Sequence, residues 1–122
     1  MATYVKVNNN QYPATIYGRM RDEDWGNRES KSIVIEMPYE EALHTFVDDI
    51  DWFVVYEQEQ NVPSFDPNTG EILNSIQKKQ EVYDNSEFSI AGDITNHRDG
   101  TVTVKMGKPT AEEILKMLEE VF

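Results

Sequence analysis

The feature that most constrains this fold is a strict alternation of apolar and polar residues in several short segments. In one of them, Ala14, Ile16 and Met20 share a side, while the residues between them are mostly polar. The same alternation recurs in residues 32–37, 88–94 and 102–106. Because successive side chains of a strand point to opposite faces, such alternation is typical of half-buried strands. Residues 3–7 and 52–59 also have strand character, since they are rich in β-branched and aromatic side chains.

Two other segments have helical spacing. After Pro38, which suits a first helical turn, one apolar stripe is expected from Ala42, Leu43, Phe46, Val47 and Ile50. A second helix is expected over residues 110–122, because Thr110 and Glu113 have the spacing of a capping box. Its expected buried stripe comprises Ala111, Ile114, Leu115, Leu118 and Val121.

These elements predict one α+β domain over residues 1–122, a usual length for a single domain. A turn-rich stretch, residues 61–70, separates the strand at 52–59 from a predicted returning strand at 71–82. The predicted order is β-β-β-α-β-β-β-β-α. Runs of consecutive strands favour a mainly antiparallel sheet of six or seven strands, with two helices packed on one face.

The composition narrows the range of partners. With 23 acidic and 11 basic residues the net charge is −12, which argues against binding nucleic acid or an anionic membrane directly. No apolar run is long enough for a membrane-spanning helix. The chain has no cysteine, so disulfides and cysteine-based metal sites are excluded, and this composition fits a reducing cytoplasm.

Signatures of catalysis are absent from the sequence: there is no Gly-rich phosphate loop, no Gly-x-Ser-x-Gly and no His-Glu-x-x-His. His44 and Asp48 have i, i+4 spacing, which would place both on one helix face as candidate metal ligands, but such pairs are common on solvated helices. Three adjacent acids at residues 22–24 suggest an acid/base loop or a solvated hairpin tip. An enzyme that uses a pair of carboxylates stays an alternative hypothesis, but we predict a protein that is not an enzyme and has no cofactor and no metal site.

The acidic residues are unevenly distributed. Between Lys31 and Lys78 the chain has ten acidic residues and no lysine or arginine. Three of these acids, Asp48, Asp49 and Asp51, cluster at the expected end of the first helix, where the helix dipole makes them mildly unfavourable. The clustering could arise by chance, or a cationic partner could remove that cost. On the second interpretation, the block predicts an acidic surface that binds a protein with a basic surface.

Trp25 is a further contact candidate, since tryptophan is enriched at binding hot spots, although it could equally fold back on Arg19 or Arg21. The predicted partner-binding residues are Trp25, Glu40, Glu41, Asp48, Asp49, Asp51, Glu57 and Glu59.

Three segments resemble small acidic proteins from prophages and phages of low-GC Gram-positive bacteria. They are Pro-Ala-Thr-Ile-Tyr-Gly-Arg-Met-Arg-Asp-Glu-Asp-Trp (13–25), Asp-Asn-Ser-Glu-Phe-Ser-Ile-Ala-Gly-Asp-Ile-Thr (84–95) and Arg-Asp-Gly-Thr-Val-Thr-Val-Lys-Met-Gly-Lys-Pro-Thr (98–110). The resemblance implies a viral or mobile-element setting, with a cytoplasmic location in a bacterial host cell, and carries no catalytic motif with it.

Three functions follow as hypotheses. The first is a non-enzymatic, phage-encoded protein-interaction module that acts through an acidic surface. The second is an acidic mimic of nucleic acid that inhibits a host nuclease of the CRISPR or restriction type. Glu57 and Glu59, which lie about 6.6 Å apart on one face of a strand, would serve such mimicry. The third is a structural or tail accessory protein of a phage.

Overall fold

The structure, a computed structural model, describes residues 2–121, without the side chains of residues 73, 74, 120 and 121. The strands are β1 (Ala2–Val7), β2 (Asn10–Asp22), β3 (Arg28–Glu36), β4 (Trp52–Phe65), β5 (Ile72–Asp84), β6 (Ile90–Asn96) and β7 (Thr101–Gly107). The helices are α1 (Tyr39–Thr45) and α2 (Ala111–Val121), and Glu23–Trp25 form one turn of 3-10 helix. The predicted fold class and element order are confirmed.

All seven strands belong to one antiparallel sheet in the order β5-β4-β1-β2-β3-β7-β6. Strand β2 changes partner along its length: residues 10–13 pair with β1, and residues 14–22 pair with β3. The half of the sheet with β1, β4 and β5 and the half with β3, β6 and β7 contribute buried side chains to one cluster, which includes Val5, Ile33, Trp52, Val54 and Val104. Strands from across the sheet therefore contribute to one shared core.

Helix α1 covers part of this core. It packs against β6 and β7, and Ala42 and Phe46 are buried. The expectation that Leu43 and Val47 are buried with them is wrong, since they are 44% and 43% exposed. The helix ends at Thr45, and the chain turns through Asp49 at a φ of 65° instead of continuing. A helix this short covers the core with one narrow face, which leaves its other side in solvent.

Helix α2 begins where the capping box predicts. The Thr110 N–H donates to Glu113 Oε1 over 2.9 Å, and the Glu113 N–H donates to Thr110 Oγ1 over 3.3 Å. The expected burial of its stripe is wrong: Ile114, Leu115 and Leu118 are 47%, 58% and 51% exposed. No other described element packs closely over this stripe, so it stays in solvent. The side chain of Val121 and all of Phe122 lie outside the described residues.

Strands β4 and β5 form a hairpin that is longer than predicted. The pairing runs without a shift from Phe53 with Asp84 to Phe65 with Ile72, so residues 61–65 belong to a strand and not to a loop. β1 reaches only to Glu57 of β4, so residues 58–65 and 72–79 project beyond β1 as a two-stranded ribbon.

Candidate interaction surface

The predicted partner-binding residues do not form one surface. Glu40 and Glu41 lie on α1, and Asp48, Asp49 and Asp51 lie in the loop that follows it. Glu57 and Glu59 lie further along β4, six and eight residues beyond Asp51. At about 3.4 Å per residue of strand, that separation is roughly 20 Å or more. The acidic block is thus divided into an α1 part and a β4 part.

Trp25 occupies a third place, at the tip of the β2–β3 hairpin. Its half-buried ring lies below the Arg28 guanidinium, with Cζ 4.9 Å from the ring centroid, and 5.5 Å from Lys105 Nζ. It also lies against Gly92 and Gly107, where an added Cβ would come within 2.8 Å of the indole. Trp25 therefore folds back onto the chain, which was one of the two alternatives expected. The arginine that it contacts is Arg28, and not Arg19 or Arg21.

Asp22, one of the three acids of the hypothesised acid/base loop, already accepts several hydrogen bonds within the chain. This buried side chain accepts hydrogen bonds from Lys105 Nζ at 2.5 Å and from Ser30 Oγ at 3.0 Å, with Arg19 Nη1 at 3.4 Å. The Lys105 hydrogen bond is the main cause that lowers the pKa of the Asp22 carboxyl. Asp22 thus acts as an ionised anchor of the hairpin.

On the α1 side, two of the predicted acids have partners within the chain. Glu41 Oε1 accepts from the Tyr12 hydroxyl at 2.8 Å, and this bond raises the pKa of Tyr12. Asp48 Oδ1 accepts from the Ala91 N–H at 2.8 Å and thereby ties the loop to β6. These two carboxylates therefore help to hold the fold.

The remaining acids of this region, and Glu36 at the end of the preceding strand β3, have no ion-pair partner in the part of the chain that the structure describes. Among the described residues, no cation forms a salt bridge with Glu36, Glu40, Asp49 or Asp51. Lys6 lines the same shallow depression as the two aspartates without pairing with either. The α1 region therefore presents uncompensated negative charge to solvent.

Exposed apolar side chains lie next to these acids in the sequence, on α1 and in the loop that follows it. Tyr39 and Leu43 are 37% and 44% exposed, and their i, i+4 spacing places them on the same side of α1. Val47, which is 43% exposed, lies in the loop two residues after the helix ends. We call the surface formed by Tyr39, Glu40, Leu43 and Val47 the α1 face. An apolar centre with a charged margin has the anatomy of a protein-binding surface. Sequence reasoning missed it, because Leu43 and Val47 fit the pattern of a buried stripe.

The β4 part of the acidic block is largely compensated. The Glu57 side chain is 15% exposed, lies 3.5 Å from Lys78 Nζ and accepts from Gln80 Nε2 at 2.9 Å. The Gln80 hydrogen bond is the main cause that lowers the pKa of Glu57. In the β4–β5 register Lys78 also lies opposite Glu59. A cation therefore interrupts the acidic row that mimicry of nucleic acid would use.

A groove of about 350 Å³ lies between the two halves of the sheet, lined in part by Ile16, Lys31, Tyr56 and Tyr83. Lys31 Nζ is bonded to Asn85 Oδ1 and lies 4.6 Å from the Phe88 ring centroid. Burial is the main cause that lowers the pKa of Lys31. The aromatic and amide neighbours thus hold this lysine in place at the groove wall.

Within residues 2–121, apart from the side chains left out, no three histidine or acidic side chains come together as metal ligands. In the same part of the chain, no helix is long and apolar enough to cross a membrane. The chain matches no family model, no curated protein and no solved structure.

Proposed function

We propose that this chain is a non-enzymatic protein-interaction module, of the phage or prophage kind that its sequence resembles. In this proposal the α1 face binds a partner protein that has a basic surface. The observation that carries the proposal is the exposure of Leu43 and Val47 beside carboxylates that form no salt bridge with any cation among the described residues.

The α1 face offers two kinds of favourable interaction at once. Covering the apolar side chains removes them from water, at about 25 cal/mol per Å² of apolar area buried. Lysines or arginines at the margin of the partner would face Glu40, Asp49 and Asp51, and would speed association by electrostatic steering. The net charge of −12 adds to that steering.

The shifted pKa values point to structural roles for several carboxyl groups. Among the described residues, the carboxyl groups whose pKa departs from its ordinary value have a lowered pKa, and they are Asp22, Glu57, Asp84, Asp99 and Glu113. A general acid that works near neutral pH needs a carboxyl group with a raised pKa. These groups are tuned to stay ionised, which suits structural ion pairs and hydrogen bonds.

Mimicry of nucleic acid remains an alternative function, and it predicts a different dependence of partner binding on salt concentration. A mimic replaces phosphate contacts, so its binding should fall steeply with added salt. Binding through the α1 face combines apolar burial with charge, and should weaken only moderately with salt. The salt dependence of partner capture therefore separates the two hypotheses.

The test is affinity capture from the lysate of a low-GC Gram-positive host, with the proteins identified by mass spectrometry. We expect the wild-type chain to retain a basic protein, and L43S and E40K to lose most of it. The matched controls L115S and E71K change an exposed apolar and an exposed acidic residue elsewhere. If the two α1-face variants retain the partner as well as the controls do, the proposal is wrong.

A further inference from the structure

Strand β5 forms one end of the sheet, so its outer edge has no neighbour among the described strands. Over Ile72–Asp84 its inner edge pairs with β4 without a register shift, and the strand contains no proline. A strand that long and regular presents a continuous row of backbone N–H and C=O groups on its free side. Such a row is a template for pairing with another strand.

The opposite edge of the sheet differs. Strand β6 is seven residues long, and its register shifts between Ala91 and Ile94. Short and irregular edges discourage strand pairing, and proteins use them for that purpose. β5 is neither short nor irregular. It also carries three exposed apolar side chains, Ile72, Ile76 and Val82, at 70%, 73% and 57% exposure.

We propose that the free edge of β5 pairs antiparallel with β5 of a second copy of this chain. The twofold axis would pass through Gln80, so that Lys79 lies opposite Glu81 of the second copy and the same pair forms again by symmetry. Two seven-stranded sheets would then join into one.

Symmetry limits the possible registers. An axis perpendicular to the sheet keeps each side chain on its own face, so a residue pairs only with one an even number of positions away. Centring the axis on Lys78, Lys79 or Glu81 would place that residue opposite its own copy, and like charges directly opposite are destabilising. Centring it on Gln77 gives no charge pair between the strands. Among these neighbouring positions, the axis at Gln80 combines two opposite-charge pairs with no like-charge pair.

The side chains that would face each other are available. Lys79 is exposed and, within the described part of the chain, forms neither a salt bridge nor a side-chain hydrogen bond. Glu81 Oε2 accepts the Tyr83 hydroxyl at 2.8 Å, which leaves its other oxygen for a second donor. Lysines usually protect an edge strand from pairing. In the proposed pairing, the negative charge of Glu81 of the second copy would lie opposite Lys79, so this lysine would favour the pairing and not prevent it.

The absence of cysteine makes a direct test possible. In the proposed register the two copies of residue 80 are directly opposite, within the Cα separation that a disulfide spans. Residue 77 would lie opposite residue 83 of the second copy, so its own copies would be about 20 Å apart. Under mild oxidation we expect Q80C to form a covalent dimer readily and Q77C to form very little. Equal cross-linking of the two variants would exclude the register.

Charge exchange gives an independent test, read by analytical ultracentrifugation over a series of protein concentrations. K79E places like charges opposite each other twice, so we expect its dimer dissociation constant to rise about tenfold or more. The double variant K79E/E81K should restore most of the affinity, while K116E, with the same change in net charge, should leave it near the wild-type value. Circular dichroism verifies that each variant is folded. A wild-type chain that stays monomeric, or a K79E dimer as stable as that of K116E, would overturn the proposal, and neither result bears on the α1 face.

Discussion

Arg28 and Glu113 join the β2–β3 hairpin to α2 through a two-point ion pair, with Nη1 2.6 Å from Oε1 and Nη2 3.3 Å from Oε2. The Arg28 side chain is 11% exposed, and its Nη1 also donates to the Lys108 carbonyl at 3.1 Å. Because the apolar stripe of α2 is exposed, this pair is the main attachment of the helix to the rest of the described chain.

Neutralising Glu113 should therefore loosen α2 selectively. We expect E113Q to increase hydrogen exchange of the α2 amides several-fold, while the core strands keep their protection. The neighbouring E112Q is the control, because Glu112 is exposed and forms no ion pair with a described residue. Equal effects of the two variants would show that the ion pair does not hold the helix.

Acid should release the same contact. The Arg28 guanidinium and the Thr110 N–H lower the pKa of Glu113 from 4.5 to about 2. Because the folded-state pKa is the lower one, the stabilisation is complete above the unfolded value and is lost as the pH falls towards 2. An NMR titration of the Glu113 carboxyl carbon should give a midpoint near 2, and a midpoint near 4.5 would contradict the ion pair.

Trp25 should make Gly107 sensitive to substitution. A Cβ at this position would come within 2.7 Å of Arg28 Cδ and 2.8 Å of the Trp25 ring, so we expect G107A to cost about 1–3 kcal/mol of unfolding free energy. G18A, where a Cβ would meet no atom within 4 Å, should be neutral or slightly stabilising. In a W25A background the cost of G107A should shrink, and denaturant unfolding of all four variants would measure this.

The two sides of α1 should respond differently to truncation. Phe46 is 2% exposed and belongs to the core cluster, so F46A should cost about 3–5 kcal/mol. Leu43 is 44% exposed, and L43A should cost about 1 kcal/mol or less. Urea unfolding of both variants measures this difference, and similar losses would mean that Leu43 is covered in the monomer.

Removing an apolar side chain from the α2 stripe should have little effect on stability. Leu115 is 58% exposed, so we expect L115S to change the unfolding free energy by about 0.5 kcal/mol or less. The variant should also bind less of a dye that fluoresces on apolar surfaces. A loss of several kcal/mol would show instead that the stripe is covered in solution.

Local patterns in the sequence predicted the elements well. Alternation located most strands, and Arg98-Asp99-Gly100 marked the β6–β7 turn, where Gly100 has a φ of 90°. The capping box marked the start of α2. These signals depend on residues a few positions apart, so they can be read before the chain is folded.

The sequence by itself determined the strands, the helices and the excess of negative charge, because each depends on neighbouring residues or on a sum over the chain. Only the tertiary structure decided which acids remain uncompensated: the β4–β5 register brings Lys78 to Glu57, while Glu40 on α1 forms no salt bridge with any cation that the structure describes. It also decided that the apolar stripe of α2 stays in solvent. An amphipathic pattern shows that one side of a helix is apolar, whereas burial depends on whether another part of the chain reaches that side.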